Sequence, residues 1–110
     1  MIKHVVMWKL KEVAEGKTKI ENAEVMKKLL EDLPNKIEEL VSAEVGINIL
    51  KGTGAAICDV VLTTECASEE DLKAYAAHPD HQKVVDFIKK VVKERRVVDF
   101  DDGRQVTSDQ

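Results

Sequence analysis

The chain has 110 residues, which is the size of a single domain with one core and too short for two. Its 17 Lys and Arg against 21 Asp and Glu leave a net charge of −4, and the basic residues form no stripe among aromatic ones, so neither nucleic acid nor a membrane surface is expected as a partner. No apolar run is long enough to cross a membrane and no signal-peptide pattern opens the sequence, which predicts a cytoplasmic protein.

Residues 2–11 alternate between two faces, which predicts the first strand. One face carries Ile2, His4, Val6, Trp8 and Leu10. Because this face is nearly all apolar, we expect it to meet the helices of the domain. His4 is then a polar group in an apolar row, and it is either satisfied by one hydrogen bond at the edge of the core or part of the lining of a pocket.

A helix is predicted from Lys17 onward, because apolar residues recur there at every third or fourth position. They are Ile20, Ala23, Met26, Leu30, Leu33, Ile37 and Leu40. Pro34 interrupts the stripe, and Asp32 is a suitable cap. We therefore expect a main helix to about Leu33 and a short second piece through Leu40.

Two further alternating segments predict a β-hairpin over residues 41–50 and 56–65. The inward positions are expected to be Val41, Ala43, Val45, Ile47 and Ile49 in the first, and Ala56, Cys58, Val60, Leu62 and Thr64 in the second. The predicted turn, Lys51-Gly52-Thr53-Gly54, has two glycines but is not followed by GK[ST] or a helix, so we reject a phosphate loop here.

The two cysteines, Cys58 and Cys66, are expected to be free thiols. If they flank one extended strand, their Cα atoms are about 26 Å apart, which is beyond the reach of a disulfide. Neither has the close Cys or His spacing of a zinc site.

Ser68-Glu69-Glu70-Asp71 predicts the start of a helix, because the serine can accept from an orphan N–H group and the acids suit the helix dipole. Pro79 lacks an N–H group and pushes His78 toward an extended conformation, so one helix should end near Ala77 and another begin at Pro79. The second helix has an inward stripe of His81, Val84, Val85, Ile88, Val91 and Val92.

The segment from Tyr75 to His81 holds the only tyrosine and two of the three histidines. On one straight helix these two side chains would point roughly 120° apart. The break at Pro79 can turn both into one space. If the chain carries out chemistry, we expect it here.

A last strand is predicted over residues 96–101, and residues 102–110 are expected to form a polar tail after a domain of residues 1–101. The order strand, helix, strand, strand, helix, strand is that of an α+β, ferredoxin-like split βαβ unit with a four-stranded antiparallel sheet and helices on one face. The other face carries Val5, Met7, Ile57 and Val61. This apolar surface predicts a second copy of the chain over it.

Three segments resemble the stress-responsive dimeric α/β-barrel (Dabb) domain family. They are Ile2-Lys3-His4-Val5-Val6, Tyr75-Ala76-Ala77-His78-Pro79-Asp80-His81 and Val97-Val98-Asp99-Phe100. They occur in the family order with family-like spacing, and the similarity extends to about Phe100. The resemblance implies a homodimer in which two ferredoxin-like subunits pack their sheets face to face into an α/β barrel.

The resemblance also implies site residues. A plant branch of the family cyclises linear polyketides with a tyrosine and a histidine at positions matching Tyr75 and His81, and the strand-one histidine, here His4, lies in the same pocket. Those three are the candidate catalytic residues. That branch has another histidine in its third strand, where this chain has Ala55-Ala56-Ile57-Cys58-Asp59. Many family members have no established reaction.

Three functions remain open at this point. The first is binding of a small carbonyl-containing or apolar ligand between sheet and helices, with a stress-response role. The second is a cyclase or lyase acting on a β-carbonyl substrate, because histidine suits the base and a tyrosine hydroxyl the enolate donor. The third is a purely structural or protective dimer, with Tyr75 at the core edge and His81 bonded to the backbone.

A metal site is a further alternative, since His78 and His81 are three residues apart with Asp80 beside them. Pro79 intervenes and no clear third ligand is present, so neither a metal nor a cofactor is expected. The observation that separates a binding site from a filled core is an enclosed, partly apolar cavity joining His4, Tyr75 and His81.

Overall fold

The structure is a computed structural model that describes residues 1–50, 54 and 56–105. Its elements, in chain order, are β1 (Ile2–Leu10), β2 (Val13–Ala14), β3 (Lys17–Thr18), α1 (Lys19–Glu31), a 3-10 helix (Leu33–Asn35), β4 (Leu40–Ile47), β5 (Val60–Cys66), α2 (Glu69–Ala77), α3 (Pro79–Val91) and β6 (Val92–Asp101). None of the described helices is long and apolar enough to cross a membrane. Most of the predicted turn at residues 51–54 lies outside the described residues.

The main sheet has four antiparallel strands in the order β4-β5-β1-β6. The central strand β1 pairs with β5 from Ile2 opposite Cys66 to Trp8 opposite Val60, and with β6 along its whole length. The three main helices cover one face. The predicted ferredoxin-like α+β fold is therefore confirmed.

The core lies between this sheet face and the helices. Val6, Trp8 and Leu10 of β1 are buried as the alternation predicts, and they pack against Met26 and Leu30 of α1. Each fully buried side chain of this kind contributes about 1.5–3 kcal/mol, so the shared apolar face is what holds sheet and helices together.

The predicted second helical piece through Leu40 is wrong. Beyond Glu31 the chain forms only the 3-10 helix at Leu33–Asn35, and Leu40 already belongs to β4. Pro34 has no N–H group to continue an α-helix, and the bonds that follow it are short-range, such as Lys36 N to Leu33 O at 2.9 Å.

The start of α1 also differs from the prediction. Residues 13–18 form a small hairpin that the sequence did not suggest, with positive φ angles at Glu15 and Gly16 that suit a tight two-residue turn. Ile20 is exposed, and Asn22 turns inward instead and donates to Ala14 O at 3.0 Å. The helix therefore fastens the hairpin with a buried polar side chain, at a position that the predicted apolar stripe leaves out.

The edge strand β4 departs from simple alternation. A β-bulge between Leu40 and Ser42 turns Val41 outward, so that it is 55% exposed rather than inward as predicted. The strand ends at Ile47, and Ile49 is exposed as well. A bulge moves every preceding residue to the other face, which alternation alone does not show.

Strands β5 and β6 begin at positions other than those predicted. β5 begins at Val60 rather than at residue 56, because the Leu10 N–H group donates to the Asp59 carboxylate at 2.8 Å instead of a strand carbonyl. β6 begins at Val92 rather than at residue 96, since it pairs with all of β1. Cys58 and Cys66 are free, as predicted.

The start of α2 follows the prediction. Ser68 is the N-cap, and its Oγ accepts from the Asp71 N–H group at 3.1 Å. We expect Ser68→Ala to lower the free energy of unfolding by about 1 kcal/mol, measured by chemical denaturation, because one N–H group at the helix end loses its acceptor. Ser68→Asp restores an acceptor, so it should lower the free energy of unfolding by only about a few tenths of a kcal/mol. An equal loss in both variants would contradict the cap.

The sheet face opposite the helices carries an apolar surface, which we call the open face. It is made of Val5, Met7, Ile57, Val61, Val98 and Phe100, of which all but Val5 are exposed. Opposite Val61, a side chain at Gly46 would approach the valine to 3.1 Å, so glycine leaves room for it. A concavity of about 620 Å³ adjoins this face.

The residues after β6 are held against the sheet as far as the structure describes them. The amino group of Met1 donates to Arg104 O at 2.6 Å, and Arg104 forms ion pairs with Glu65 and Asp102. The domain boundary at residue 101 stays a prediction, and residues 106–110 lie outside the described part of the chain.

Candidate functional site

The site is organised by the break between α2 and α3. His78 is extended, with φ −63° and ψ 136°, as expected for the residue before Pro79. Its Nδ1 accepts from the Asp80 N–H group at 3.1 Å, so this histidine is the N-cap of α3. The break leaves the last carbonyls of α2 without helical partners.

His81 supplies one of the missing partners. Its Nδ1 lies 2.9 Å from Ala76 O, and the Gln82 side-chain amide donates to the same oxygen at 2.7 Å. A carbonyl oxygen only accepts, so the neutral His81 ring carries its proton on Nδ1. Its Nε2 therefore presents a lone pair.

Tyr75 and His81 converge as the Pro79 break predicts. Their ring centroids are 4.4 Å apart with the planes tilted by 48°. Tyr75 is only 1% exposed, yet its hydroxyl has no hydrogen-bond partner among the described residues. Burial raises the pKa of the Tyr75 hydroxyl, so the group remains a protonated donor.

His4 enters the same site from β1. Its ring centroid is 6.3 Å from that of Tyr75, in an edge-on arrangement. On its other side, His4 Nδ1 forms a short hydrogen bond with the carboxylate of Asp99, its register partner on β6. A carboxylate accepts hydrogen bonds and donates none. Asp99 therefore orients the His4 ring with its Nδ1–H group toward β6.

Asp99 is a site residue that the sequence analysis did not single out. It appeared there only within the family-like segment Val97-Val98-Asp99-Phe100, without a role of its own. The signal that could have found it is strand pairing, because His4 and Asp99 are directly opposite each other and share the helix side of the sheet. That pairing requires the register of β1 against β6, which single-strand patterns do not contain.

A cavity of about 330 Å³ joins these groups between the sheet and the helices. It is lined by His4, Val6, Trp8, Leu30, Leu62, Tyr75, His81, Val85, Ile88, Lys89, Val92 and Arg95. Its volume is at the lower end of the range of about 300–1,000 Å³ for small-molecule sites. Trp8 is buried beside it, and the indole N–H group of Trp8, like the Tyr75 hydroxyl, has no partner in the described chain.

The environment of the cavity lowers the pKa of His81 below its ordinary value of 6.5. Burial is the largest cause, and the nearby His4, Arg95 and His78 act in the same direction, while the bond to Ala76 O opposes them. His81 is therefore neutral at pH 7. A neutral histidine with a free Nε2 can accept a proton or a hydrogen bond from a bound molecule.

The histidines and Asp80 do not form a metal site. His78 Nδ1 is turned to its own helix start, whereas the His81 ring stacks near Tyr75. Within residues 1–50, 54 and 56–105, no group of three His, Cys, Asp or Glu side chains could hold a metal ion.

Comparison with known proteins places this arrangement in a family. Residues 2–102 match the profile of the Stress responsive A/B Barrel Domain, abbreviated Dabb. No protein of curated function shows significant sequence similarity to the chain.

Several solved structures share the fold. A dimeric protein of unknown function and ferredoxin-like fold from Bacteroides fragilis is 29% identical, with a TM-score of 0.78 over 90% of this chain and 93% of that one. A dimeric ferredoxin-like protein of unknown function from Thermobifida fusca is 25% identical, with a TM-score of 0.72 over 90% and 88%. A hydroxynitrile lyase from Passiflora edulis is 12% identical, with a TM-score of 0.74 over 90% of each chain, a likeness that concerns the fold alone.

Proposed function

Because the chain belongs to the stress responsive A/B barrel (Dabb) family, we propose that it binds a small, apolar carbonyl compound in the cavity between the sheet and the helices. The observation that carries this proposal is the Tyr75 hydroxyl, which is buried at the cavity without a hydrogen-bond partner among the described residues. An unpaired buried polar group costs about 1–3 kcal/mol, and a ligand oxygen would supply the missing acceptor.

The remaining lining supports the same ligand class. Val6, Leu62 and Ile88 offer apolar walls, so the body of the ligand is apolar and uncharged there. Tyr75 and Trp8 offer buried donors that have no partner among the described residues, so the ligand has to bring an acceptor. A carbonyl oxygen fits both requirements. A role in the stress response, to which the family description refers, is part of this proposal.

A cyclase or lyase reaction on a β-carbonyl substrate is the second candidate, favoured by the protonation of His81. With Nδ1–H held by Ala76 O, the Nε2 lone pair can remove a proton from the carbon between two carbonyl groups. The Tyr75 hydroxyl would then donate to the developing enolate oxygen. The pair of His4 and Asp99 would hold the second oxygen or orient the substrate.

We also propose that the protein acts as a homodimer with the open face as the interface. The apolar side chains on that face are exposed in one chain, and the relatives from Bacteroides fragilis and Thermobifida fusca are dimeric. A purely protective dimer remains the third candidate, and the cytoplasmic location stays a prediction.

Nuclear magnetic resonance tests the pocket directly, because Trp8 is the only tryptophan and lines the cavity. We expect nonane-2,4-dione to shift the single indole N–H resonance in a saturable way, and nonane to shift it far less. Val85→Phe, which places a ring in the cavity, should weaken binding at least about tenfold without lowering the melting temperature.

Val13→Phe is the matched control, since Val13 is 69% exposed on β2 and does not line the cavity. It should bind like the wild type. The absence of any shift in the wild type, or equal binding by Val85→Phe, would contradict the pocket and leave the protective dimer.

A further inference from the structure

The two charged side chains that line the cavity are both cationic. They are Lys89 of α3 and Arg95 of β6, and among the described residues no Asp or Glu joins them in the lining, Asp99 standing behind His4. The chain as a whole has more acidic than basic residues, 21 against 17. Both charged residues of the lining are therefore basic in a chain whose charged residues are mostly acidic.

Neither cation has a partner in the described chain. No ion pair or side-chain hydrogen bond there involves the Lys89 amino group or the Arg95 guanidinium, whereas Lys9 pairs with Glu94 at 3.0 Å on the other side of β6. The charge of Arg95 nevertheless reaches the site, because it helps to lower the pKa of His81 and opposes the burial that raises the pKa of Tyr75.

The position of these groups defines two ends of the cavity. Lys89 and Arg95 are exposed, so they lie where the cavity meets solvent, while Tyr75 and Trp8 are buried at its inner end. The inner end offers neutral donors and the mouth offers positive charge. A ligand that satisfies both ends carries an oxygen acceptor at one end and a negative charge at the other.

We infer that the ligand is a small oxo acid, whose carbonyl oxygen faces Tyr75 and whose carboxylate lies between Lys89 and Arg95. This inference rests on the proposed pocket function and narrows its ligand class. The planar guanidinium of Arg95 matches a carboxylate with two parallel hydrogen bonds, and Lys89 adds a mobile point charge. Because both cations are exposed, salt should screen the attraction.

The test compares 8-oxononanoate, with the ketone at one end and the carboxylate at the other, with its primary amide, which keeps the chain and the ketone but removes the charge. Affinities are measured by calorimetry and by the Trp8 indole resonance at low and high salt. We expect the wild type to prefer the acid about tenfold at low salt and less at high salt. The double variant Lys89→Gln/Arg95→Gln should bind both compounds equally, at the affinity of the amide.

Lys90→Gln is the matched control, since Lys90 is the next exposed lysine on α3 and does not line the cavity. It should keep the preference for the acid. Equal binding of acid and amide by the wild type would overturn the inference while leaving the pocket function intact. Failure of both compounds to bind would overturn the pocket function and the inference together. Preference retained in the double variant would assign the charge recognition to other residues and overturn the inference.

Discussion

Val61→Glu is expected to convert the protein from a dimer to a monomer at micromolar concentration. Val61 lies on the open face, 36% exposed in the single chain, opposite Met7 on β1. In the proposed dimer this position is covered by the second sheet, and a glutamate there would be a buried charge without a partner. Such a charge costs several kcal/mol, so the affinity between the two chains should fall by about 10² to 10³.

The measurement is light scattering coupled to size-exclusion chromatography, with Val13→Glu as the control. The control introduces the same substitution at an exposed valine of the β2–β3 hairpin, whose strand β2 contacts α1 and α3, so it should remain a dimer. A dimeric Val61→Glu variant would mean that the two chains meet through another surface. A monomeric wild type would contradict the proposed homodimer.

His81→Ala is expected to abolish function while leaving the fold nearly unchanged. The Ala76 carbonyl keeps its bond from Gln82, so α2 still ends in the same way. The lost Nε2 lone pair removes the acceptor for the enol O–H group of nonane-2,4-dione, so binding of this compound should weaken, and any turnover of a β-carbonyl substrate should fall by about 10² to 10⁴. His78→Ala is the control, because its loss removes the N-cap of α3 and should cost about 1 kcal/mol of stability without affecting binding.

Tyr75→Phe is expected to weaken ligand binding and at the same time to stabilise the unliganded protein. It removes a buried hydroxyl that has no partner among the described residues, so the unliganded protein should become more stable by about 1 kcal/mol. Binding of the dione should weaken about tenfold, because the ligand oxygen loses its donor. A fall in stability with unchanged binding would show that the hydroxyl serves the core alone.

The pH dependence has a definite sign. The pKa of His81 is lowered below 6.5 by burial first, so its neutral form is favoured in the folded protein. Its contribution to stability is present above 6.5 and is lost as the pH falls through the lowered pKa, and any function of Nε2 is lost in the same window. In the His81→Ala variant, neither the loss of stability nor the loss of function that is due to His81 should occur as the pH falls. The other groups near it, His4, His78 and Arg95, stay in place.

The sequence by itself determined the elements whose patterns are local. Alternation identified β1 and its buried face, the serine at position 68 marked the start of α2, and Pro79 marked the break that brings Tyr75 and His81 together. These features follow from the geometry of a strand, a helix end and a proline ring, which depend on a few neighbouring residues. The order of elements then left few topologies besides the ferredoxin-like fold.

Only the tertiary structure decided the features that depend on pairing between distant segments. The hydrogen bond from His4 to Asp99 requires the register of β1 against β6, and the exposure of Val41 requires a bulge opposite β5. The cavity lies between the sheet and α3, and Lys89 and Arg95 line it from these two elements. The distance between sheet and helix depends on the packing of many side chains. Local sequence patterns do not determine such distances. The cavity beside Tyr75 and the positive charge at its mouth could therefore be identified only from the tertiary structure.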